Sequence, residues 1–279
     1  MMSLLTLPTH KQPPGGLSFL QLSIPVSHVV LVRMNNPASL NALTMAALRE
    51  IDAVLDWYDD ERTLRVMIWT GTGRAFTAGA DLKEWRRTLD RTDNRRFGVR
   101  HGVVPFTRRF GKKPIISAVN GIAMGGGCEF AMNCDLVIAA DTAVFGLPEV
   151  KVGLAPTGGV LPRIVHTAGM QVASEIVLTG RRISAQQMEL WSLVNKVVPA
   201  DQLLPEALRY ASMIAENSPD AIICARIGLR QAWKTADVEE STNKWHENCF
   251  TLLERGQNTR EGLSAFVEKR PAEWKDSKL

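Results

Sequence analysis

Short apolar runs alternate with an amphipathic helical segment early in the chain, and this alternation restricts the fold more than any other feature. Val29–Met34 and residues 66–70 are apolar, β-branched runs of strand length. Between them, residues 44–58 place Leu48, Ile51 and other apolar residues at helical spacing. Strand, helix and strand in this order predict an α/β fold.

The same order returns further along the chain. Ile115–Val119 predicts a strand, Gly126–Asn133 a helix that begins with glycines, and Leu136–Ala140 another strand. After residue 200 the strand pattern ends. Four later segments have the spacing of helices, namely 201–216, 219–234, 237–255 and 259–268. The second part of the chain therefore predicts a helical region attached to the α/β core.

The domain boundaries follow from these patterns. Residues 1–18 contain several prolines and glycines and no periodic apolar pattern, so we expect a flexible lead-in. We expect the α/β core to occupy residues 19–200 and the helical C-terminal region to occupy residues 201–279.

Composition excludes several classes of protein. With 45% hydrophobic and 22% charged residues, the 279-residue chain can bury a full core. No apolar run approaches the roughly 18 residues that span a bilayer, so we expect no membrane insertion. The four cysteines show no C-x-x-C spacing, so we expect free thiols and no metal site. The net charge of +4 suits a polyanionic ligand without identifying one.

Three consecutive glycines, Gly125, Gly126 and Gly127, separate a buried run from a predicted helix. Glycine allows a ligand to approach the main chain, and the first amides of a helix are unpaired donors. Such a turn can hold an oxyanion, although tight packing of a strand on a helix explains the glycines equally well. Glu129 follows in the first turn of an otherwise apolar helix, where a buried carboxylate needs a partner.

A second carboxylate, Glu149, follows the next predicted strand. Two carboxylates that reach one pocket can divide the acid and base roles around a water molecule. Gly71 and Gly73 begin another turn, but no third glycine follows and no acidic residue ends the next strand. These absences argue against a nicotinamide site.

Together these segments resemble the crotonase (enoyl-CoA hydratase/isomerase) superfamily from about residue 19 onwards. The resemblance lies in Ala78-Gly79-Ala80-Asp81-Leu82-Lys83, Asn120-Gly121, Gly125-Gly-Gly-Cys-Glu129, Phe145-Gly-x-Pro148-Glu149 and the helix 260–270. It implies a core of β-β-α turns in a spiral with a helical C-terminal trimerisation region. It also implies a homotrimer or a dimer of trimers.

The resemblance assigns roles to individual residues. The backbone amides of Ala80 and Gly126 would hold the thioester oxygen, and Glu129 and Glu149 would orient and activate water. The implied activity is hydration of a 2-enoyl-CoA or the reverse dehydration, a hydro-lyase reaction. Family isomerases typically keep only the residue equivalent to Glu149, so the pair favours a hydratase over an isomerase.

Coenzyme A would enter as part of the substrate, and the resemblance implies no separate cofactor. The residues that match its binding site are Asn41, Ala42, Leu43, Ala78, Asp81 and Lys83, with Phe250 and Lys269 contributed by a neighbouring subunit. Lys83 and Lys269 are equally compatible with solvated surface lysines.

Two departures from the family pattern affect the acyl group. Residues 156–163 read PTGGVLPR where many hydratases have a glycine-rich Pro-Gly-x-Gly-Gly-Thr-Gln-Arg. Trp85 stands where Met or Leu is common, which favours a short or branched acyl group, although core packing also explains a tryptophan. A thioester hydrolase or decarboxylase of the same family stays open.

Six arginines follow Trp85 and suggest an RNA-binding homologue as the alternative from another class. They are Arg86, Arg87, Arg91, Arg95, Arg96 and Arg100. Phe97 is the one aromatic residue among them, and single-stranded nucleic acid needs stacking aromatics, so the run favours a solvated helix near phosphates of coenzyme A.

The last three residues are Ser277, Lys278 and Leu279. This tripeptide matches the signal that the peroxisomal import receptor reads, so we expect a peroxisomal location.

Overall fold

The computed structural model describes residues 9–88 and 111–279. Ten strands lie in these residues: β1 Leu20–Val26, β2 Val29–Met34, β3 Val66–Gly71, β4 Ala75–Thr77, β5 Ile115–Val119, β6 Ile122–Met124, β7 Leu136–Ala140, β8 Val144–Gly146, β9 Ile183–Ser184 and β10 Lys196–Val198. They form a six-stranded sheet in the order β1-β2-β3-β5-β7-β10 and a four-stranded sheet in the order β4-β6-β8-β9.

Successive strand pairs build both sheets at once. β3, β5 and β7 are parallel neighbours in the first sheet, and β4, β6 and β8, which directly follow them in the chain, are parallel neighbours in the second. A helix follows each pair, so the chain advances as a spiral of β-β-α units. All residues of β3 and β5 are buried, as expected for parallel strands that are covered on both faces.

Ten α-helices lie in the described residues: α1 Met45–Asp60, α2 Leu82–Thr88, α3 Gly126–Asn133, α4 Val160–Thr179, α5 Ala185–Leu190, α6 Leu203–Ala215, α7 Pro219–Gln231, α8 Val238–Trp245, α9 Thr251–Glu254 and α10 Gln257–Glu268. α1 begins where the Thr44 side chain accepts a hydrogen bond from the Ala47 amide, and it buries Ile51, Val54 and Leu55 against the core.

The predicted α/β class is confirmed. The three later elements of the core lie at Ile115–Val119, Gly126–Asn133 and Leu136–Ala140, as the sequence predicted. The predicted helix over 237–255 is interrupted instead by a π-helical turn, His246–Phe250, between α8 and α9. A π-helical turn of five residues keeps the chain helical on both sides, and the sequence pattern over 237–255 gave no sign of it.

The helical C-terminal region is fixed to the core by a buried ionic cluster. Asp135, just before β7, accepts from the Arg226 Nε at 2.9 Å and from the Arg230 Nη2 at 3.0 Å. Burial raises the pKa of Asp135, but the two guanidinium groups outweigh it and the pKa is lowered. Removal of either arginine would leave charge buried and only partly compensated.

Two expectations need correction. The lead-in is not free over its described part, because the Lys11 amide donates to Glu61 and the indole of Trp57 donates to the Lys11 carbonyl. The four cysteines are not all free thiols, since Cys224 and Cys249 form a disulfide. Their sequence spacing gave no sign of this, because packing of α7 on the π-helical turn brings them together. Cys128 and Cys134 are buried and are not part of a disulfide.

Within the described residues, no helix has the length and apolar character that crossing a bilayer requires. The same residues contain no group of three or more His, Cys, Asp or Glu side chains arranged to hold a metal ion.

Candidate active site

A cavity of about 250 Å³ opens between the ends of β4 and β6, helices α1 to α3 and the 3-10 turn Pro148–Val152. Its wall is mostly apolar and includes four carboxylates, of which Glu129 and Glu149 lie on opposite segments. The lining residues are Leu43, Met45, Leu48, Ala78, Ala80, Asp81, Leu82, Glu84, Trp85, Gly125, Gly126, Glu129, Pro148, Glu149, Lys151, Val152, Leu154, Ala155 and Thr157.

Gly79 brings two backbone amides to the same part of this cavity. Its φ is +86°, and a Cβ placed there would lie 2.5 Å from the Met124 carbonyl oxygen and 2.9 Å from the Gly126 nitrogen. A side chain at Gly79 would therefore separate the segment that carries Ala80 from the segment that carries Gly126. The close approach of the two segments requires a glycine.

The backbone amides of Ala80 and Gly126 are both available as hydrogen-bond donors. The bridge between Leu43 and Ala80 uses the amides of Leu43 and Asp81 at 2.8 and 3.1 Å, and it does not use the Ala80 amide. Gly126 is the first residue of α3, where amides have no acceptor within the helix. Two such donors at one cavity can stabilise negative charge on an oxygen atom.

Glu129 lies in the first turn of α3 and is 3% exposed. Its Oε2 has no hydrogen-bond partner among the described residues. Gly127, two residues earlier, lets α3 pack on β4, because a Cβ at this position would lie 2.2 Å from the Thr77 carbonyl oxygen. The triple glycine thus sets the position of Glu129 as well as that of the Gly126 amide.

Glu149 reaches the cavity from the opposite side, in the turn Pro148–Val152. Its Oε2 also lacks a partner among the described residues. Its Oε1 lies 3.2 Å from the point that a Cβ on Gly125 would occupy, so Glu149 packs directly over the triple glycine. The structure brings both predicted carboxylates to the cavity that contains the two amides.

The environment changes the acidity of both carboxyl groups. Burial, together with the negative charge of Glu149, raises the pKa of Glu129 to about 7, although the amides of Gly158, Val160 and Thr157 oppose the rise. Burial also raises the pKa of Glu149. A carboxyl group with a pKa near neutrality can both give and take a proton. Burial raises the pKa of the nearby Cys128 thiol to about 12, so it stays protonated.

The other predicted site residues fall into two groups. Leu43, Ala78, Asp81 and Trp85 line the cavity. The remaining positions, Asn41, Ala42, Lys83, Phe250 and Lys269, do not line it.

Asn41 holds the loop that precedes the cavity. It is buried, and its Nδ2 donates to the carbonyl oxygens of Ala75 and Phe76 at 2.8 and 3.2 Å. Its Oδ1 accepts from the Asn36 amide. The side chain is therefore fully used in hydrogen bonds within the fold. That Asn41 contacts coenzyme A stays a prediction, and the contact would have to come from its backbone.

Sequence reasoning missed part of the apolar wall. Met45 and Leu48 lie three residues apart on the face of α1 that lines the cavity, and helical spacing could have indicated them. Val152 ends the 3-10 turn Pro148–Val152 and Leu154 lies in the loop after it. Neither segment is long enough to show periodicity, so no sequence signal identified them. Of the six arginines, Arg86 and Arg87 are exposed on α2, and the other four lie outside the described residues.

Comparison with known proteins agrees with this geometry. A family model described as enoyl-CoA hydratase/isomerase matches residues 26–277. The chain is 44% identical over 258 residues to mevalonyl-coenzyme A hydratase sidH of Aspergillus fumigatus, an alignment that covers 92% of this chain and 95% of that protein. It is 38% identical over 248 residues to 2,3-dehydroadipyl-CoA hydratase of Escherichia coli, covering 88% of this chain and 95% of that one.

The fold is shared with solved structures. The crystal structure of enoyl-CoA hydratase from Bacillus anthracis superposes with a TM-score of 0.83 at 33% identity, and the match covers 93% of this chain and 100% of that one. The spiral of β-β-α units is therefore common to both proteins.

Proposed function

The chain belongs to the enoyl-CoA hydratase/isomerase family and is a hydro-lyase of acyl-CoA thioesters, and from this premise we propose that its substrate is a short, branched 3-hydroxyacyl-CoA of the mevalonyl type. The observation that carries the proposal is the pair of buried, unpartnered carboxylate oxygens of Glu129 and Glu149 beside the Ala80 and Gly126 amides, as found in the described residues.

The reaction follows from this arrangement. The two amides donate to the thioester oxygen and stabilise the enolate that forms, each by roughly 3 to 4 kcal/mol. In dehydration, the Glu149 carboxylate takes a proton from C2, and the protonated Glu129 gives its proton to the hydroxyl group that leaves C3 as water. Hydration runs through the same groups in reverse. The step requires no resident cofactor, because coenzyme A is part of the substrate.

The raised pKa of Glu129 supports this division of roles. A pKa of about 7 leaves a substantial protonated fraction at neutral pH, as a proton donor to the leaving hydroxyl requires. Glu149 lies in the loop opposite α3, so the two groups can act on different carbons of one acyl chain.

The acyl group is proposed from the wall of the cavity and from the relatives. Trp85, Leu82 and Val152 are large apolar residues in the lining of the cavity that contains the carboxylates, which suits a short, branched chain. Two relatives, from Aspergillus fumigatus and Beauveria bassiana, are named mevalonyl-coenzyme A hydratases at 44% and 43% identity. Their names suggest a five-carbon acyl chain with a methyl branch at C3.

A product assay tests the proposal. The purified enzyme is incubated with mevalonyl-CoA, crotonyl-CoA and a long-chain 2-enoyl-CoA, and the products are identified by mass spectrometry. We expect loss or gain of water with the highest kcat/KM on the branched thioester. Glu129→Gln and Glu149→Gln should each lower kcat by about 100-fold or more, whereas Glu175→Gln, at an exposed carboxylate of α4, should not. Migration of a double bond without exchange of water would indicate an isomerase.

We also propose assembly into a homotrimer or a dimer of trimers. The support is a set of large apolar side chains exposed on the helical C-terminal region, among them Leu252, Leu263, Phe266 and Val267. Exposed apolar groups of this number are typical of a protein interface. Phe250 and Lys269 would then reach the coenzyme A site of a neighbouring subunit.

Peroxisomal import is proposed from the tripeptide Ser277, Lys278 and Leu279. Ser277 is buried, and its hydroxyl donates to the Asp220 Oδ1 at 2.5 Å. A receptor that surrounds the tripeptide would have to draw it away from α7. Import of an N-terminally fluorescent fusion should be lost when Leu279 is removed, and an unchanged distribution would contradict the proposal.

A further inference from the structure

One aliphatic hydroxyl group borders the cavity of the glutamate pair. Among the described lining residues it belongs to Thr157, in the loop between the turn Pro148–Val152 and α4. The Thr157 side chain is exposed, whereas the preceding Pro156 and the following Gly158 are buried. The hydroxyl thus lies on the open side of a loop whose neighbouring residues are packed.

The loop is held in a fixed position relative to Glu129. The amides of Thr157, Gly158 and Val160 interact with the Glu129 carboxylate. The buried Asn133 Nδ2 donates to the Gly158 carbonyl oxygen at 3.2 Å. Asn133 lies one turn after Glu129 on α3, so its hydrogen bond ties the loop to the helix that carries Glu129. This bond fixes the residue next to Thr157, and Thr157 lines the same cavity as Glu129.

Most other polar groups of the wall are already engaged. The Asp81 Oδ1 accepts from the amides of Lys83 and Glu84 at 2.9 and 3.0 Å. The Glu84 Oε2 accepts from the Met45 amide at 2.9 Å. The glutamate pair serves proton transfer, and Lys151 is the remaining group that could meet a substrate oxygen.

We propose that Thr157 is a specificity-determining residue, whose hydroxyl binds a second hydroxyl group at the end of a short acyl chain. The inference rests on the proposed function. A mevalonyl group has one hydroxyl on C3, which leaves as water, and one on C5, which the reaction keeps. A hydroxyl that enters an apolar cavity without a partner is strongly disfavoured, so the C5 hydroxyl needs a hydrogen bond. A site that supplies one discriminates against an analogue that lacks the hydroxyl.

The geometry also favours a neutral partner over a charged one. Lys151 lies in the turn of Glu149, and its Cε is 3.2 Å from the point that a Cβ on Gly180 would occupy. Its stem therefore runs along the end of α4, and its exposed ammonium group is free to stay in water. Thr157 has a short side chain, so its hydroxyl loses little conformational freedom on binding.

The experiment compares two thioesters with the same carbon skeleton, mevalonyl-CoA and 3-hydroxy-3-methylvaleryl-CoA, which lacks the C5 hydroxyl. Thr157→Val keeps the shape and removes the hydroxyl, and Thr157→Ser keeps the hydroxyl. We expect Thr157→Val to lower kcat/KM for mevalonyl-CoA roughly 10- to 100-fold, mainly through KM, and to change the value for the analogue about threefold or less. Thr157→Ser should restore the preference for mevalonyl-CoA.

Four outcomes would overturn the inference. An equal loss of kcat/KM on both thioesters means that Thr157 positions the loop beside Glu129 and does not bind the C5 hydroxyl. No change on either thioester means that the C5 hydroxyl finds another partner. A preference that disappears in Lys151→Met and persists in Thr157→Val assigns the contact to Lys151. If the wild type hydrates crotonyl-CoA and acts on neither branched thioester, the proposed substrate class fails and Thr157 loses its role with it.

Discussion

Burial of Glu129 suits its proposed role as a proton donor, but it lowers the stability of the folded chain when the carboxyl group is charged. Below its ordinary pKa of 4.5 the carboxyl group is neutral in both the folded and the unfolded chain. Between pH 4.5 and about 7 the unfolded chain releases this proton while the folded chain retains it. The native state therefore binds more protons over this range, and the contribution of Glu129 to the free energy of unfolding falls as pH rises. Above about pH 7 the loss is complete.

A Glu129→Gln variant should remove this dependence. The side chain keeps its size and carries no charge, so we expect the variant to unfold at higher denaturant concentration than the wild type at pH 8. The expected gain is about 1 to 3 kcal/mol at pH 8, because a shift of one pKa unit corresponds to about 1.4 kcal/mol. The gain should shrink toward pH 5.

Urea unfolding at pH 5 and pH 8 checks this prediction. Glu175→Gln is the control, because its side chain lies on the surface of α4. If Glu129→Gln and Glu175→Gln change the free energy of unfolding equally at both pH values, the charge on Glu129 does not destabilise the folded chain. The same Gln variant is expected to lose activity, so stability and catalysis would separate at a single residue.

At the scale of elements, the active site depends on one close approach between two turns. Gly79 and Gly169 have nearly the same φ, +86° and +84°, but a Cβ at Gly169 would meet nothing within 4 Å. A Cβ at Gly79 would meet the Met124 carbonyl and the Gly126 nitrogen. The two positions thus separate the effect of backbone strain from the effect of the clash.

Gly79→Ala should therefore lower kcat by about 100-fold or more, because it moves one of the two amides that we propose bind the thioester oxygen. Gly169→Ala should carry a similar strain, on the order of 1 to 2 kcal/mol of stability, and keep its kcat. Steady-state kinetics and thermal unfolding of both variants check the prediction. Full activity in Gly79→Ala would show that the oxygen is held by other donors.

The sequence predicts elements best where burial alone decides them. Ile115–Val119 and Leu136–Ala140 were predicted to the residue, because a parallel strand covered on both faces is a continuous apolar run. The two glutamates and the glycine turns were predicted from their chemistry and placed at one cavity by the structure. The disulfide and the π-helical turn could not be predicted, because both depend on how α7 packs against the segment after α8.

The residues that line the cavity show a second limit of prediction from the sequence. Thr157 lies in a loop and Val152 at the end of the 3-10 turn, and whether such a residue faces a cavity depends on contacts from distant segments, such as that of Asn133 with Gly158. Asn41 matched a ligand-binding pattern, and its side chain is used within the fold. Its contact with coenzyme A stays a prediction for the backbone.

For the whole molecule, the spiral explains how the cavity forms. Each β-β-α unit adds a strand to both sheets, so the turns after β4 and β6 come to lie side by side although residues 78–80 and 125–129 are far apart in the chain. The helical C-terminal region lies after the last unit and leaves apolar side chains exposed. A single chain thus supplies both carboxylates and both amides of the site, but it leaves the apolar surface of its C-terminal region uncovered.

This exposed surface gives the last prediction. Leu263, Phe266 and Val267 lie at positions i, i+3 and i+4 of α10, and they are 65%, 84% and 79% exposed. If they form the proposed subunit interface, Phe266→Asp places a charge in an apolar contact and should dissociate the assembly to a 30.8 kDa monomer. Gln257→Asp adds the same charge at the exposed first residue of α10, which is not three or four residues from any of these side chains, and should leave the assembly intact.

Light scattering after size-exclusion chromatography measures the masses. We expect Phe266→Asp also to raise KM for the CoA thioester while kcat falls less, because Phe250 and Lys269 would no longer reach a neighbouring site, whereas the carboxylates and amides belong to one chain. A wild-type protein that elutes as a monomer at assay concentration would contradict the interface. A monomeric variant with an unchanged KM would contradict the shared coenzyme A site alone.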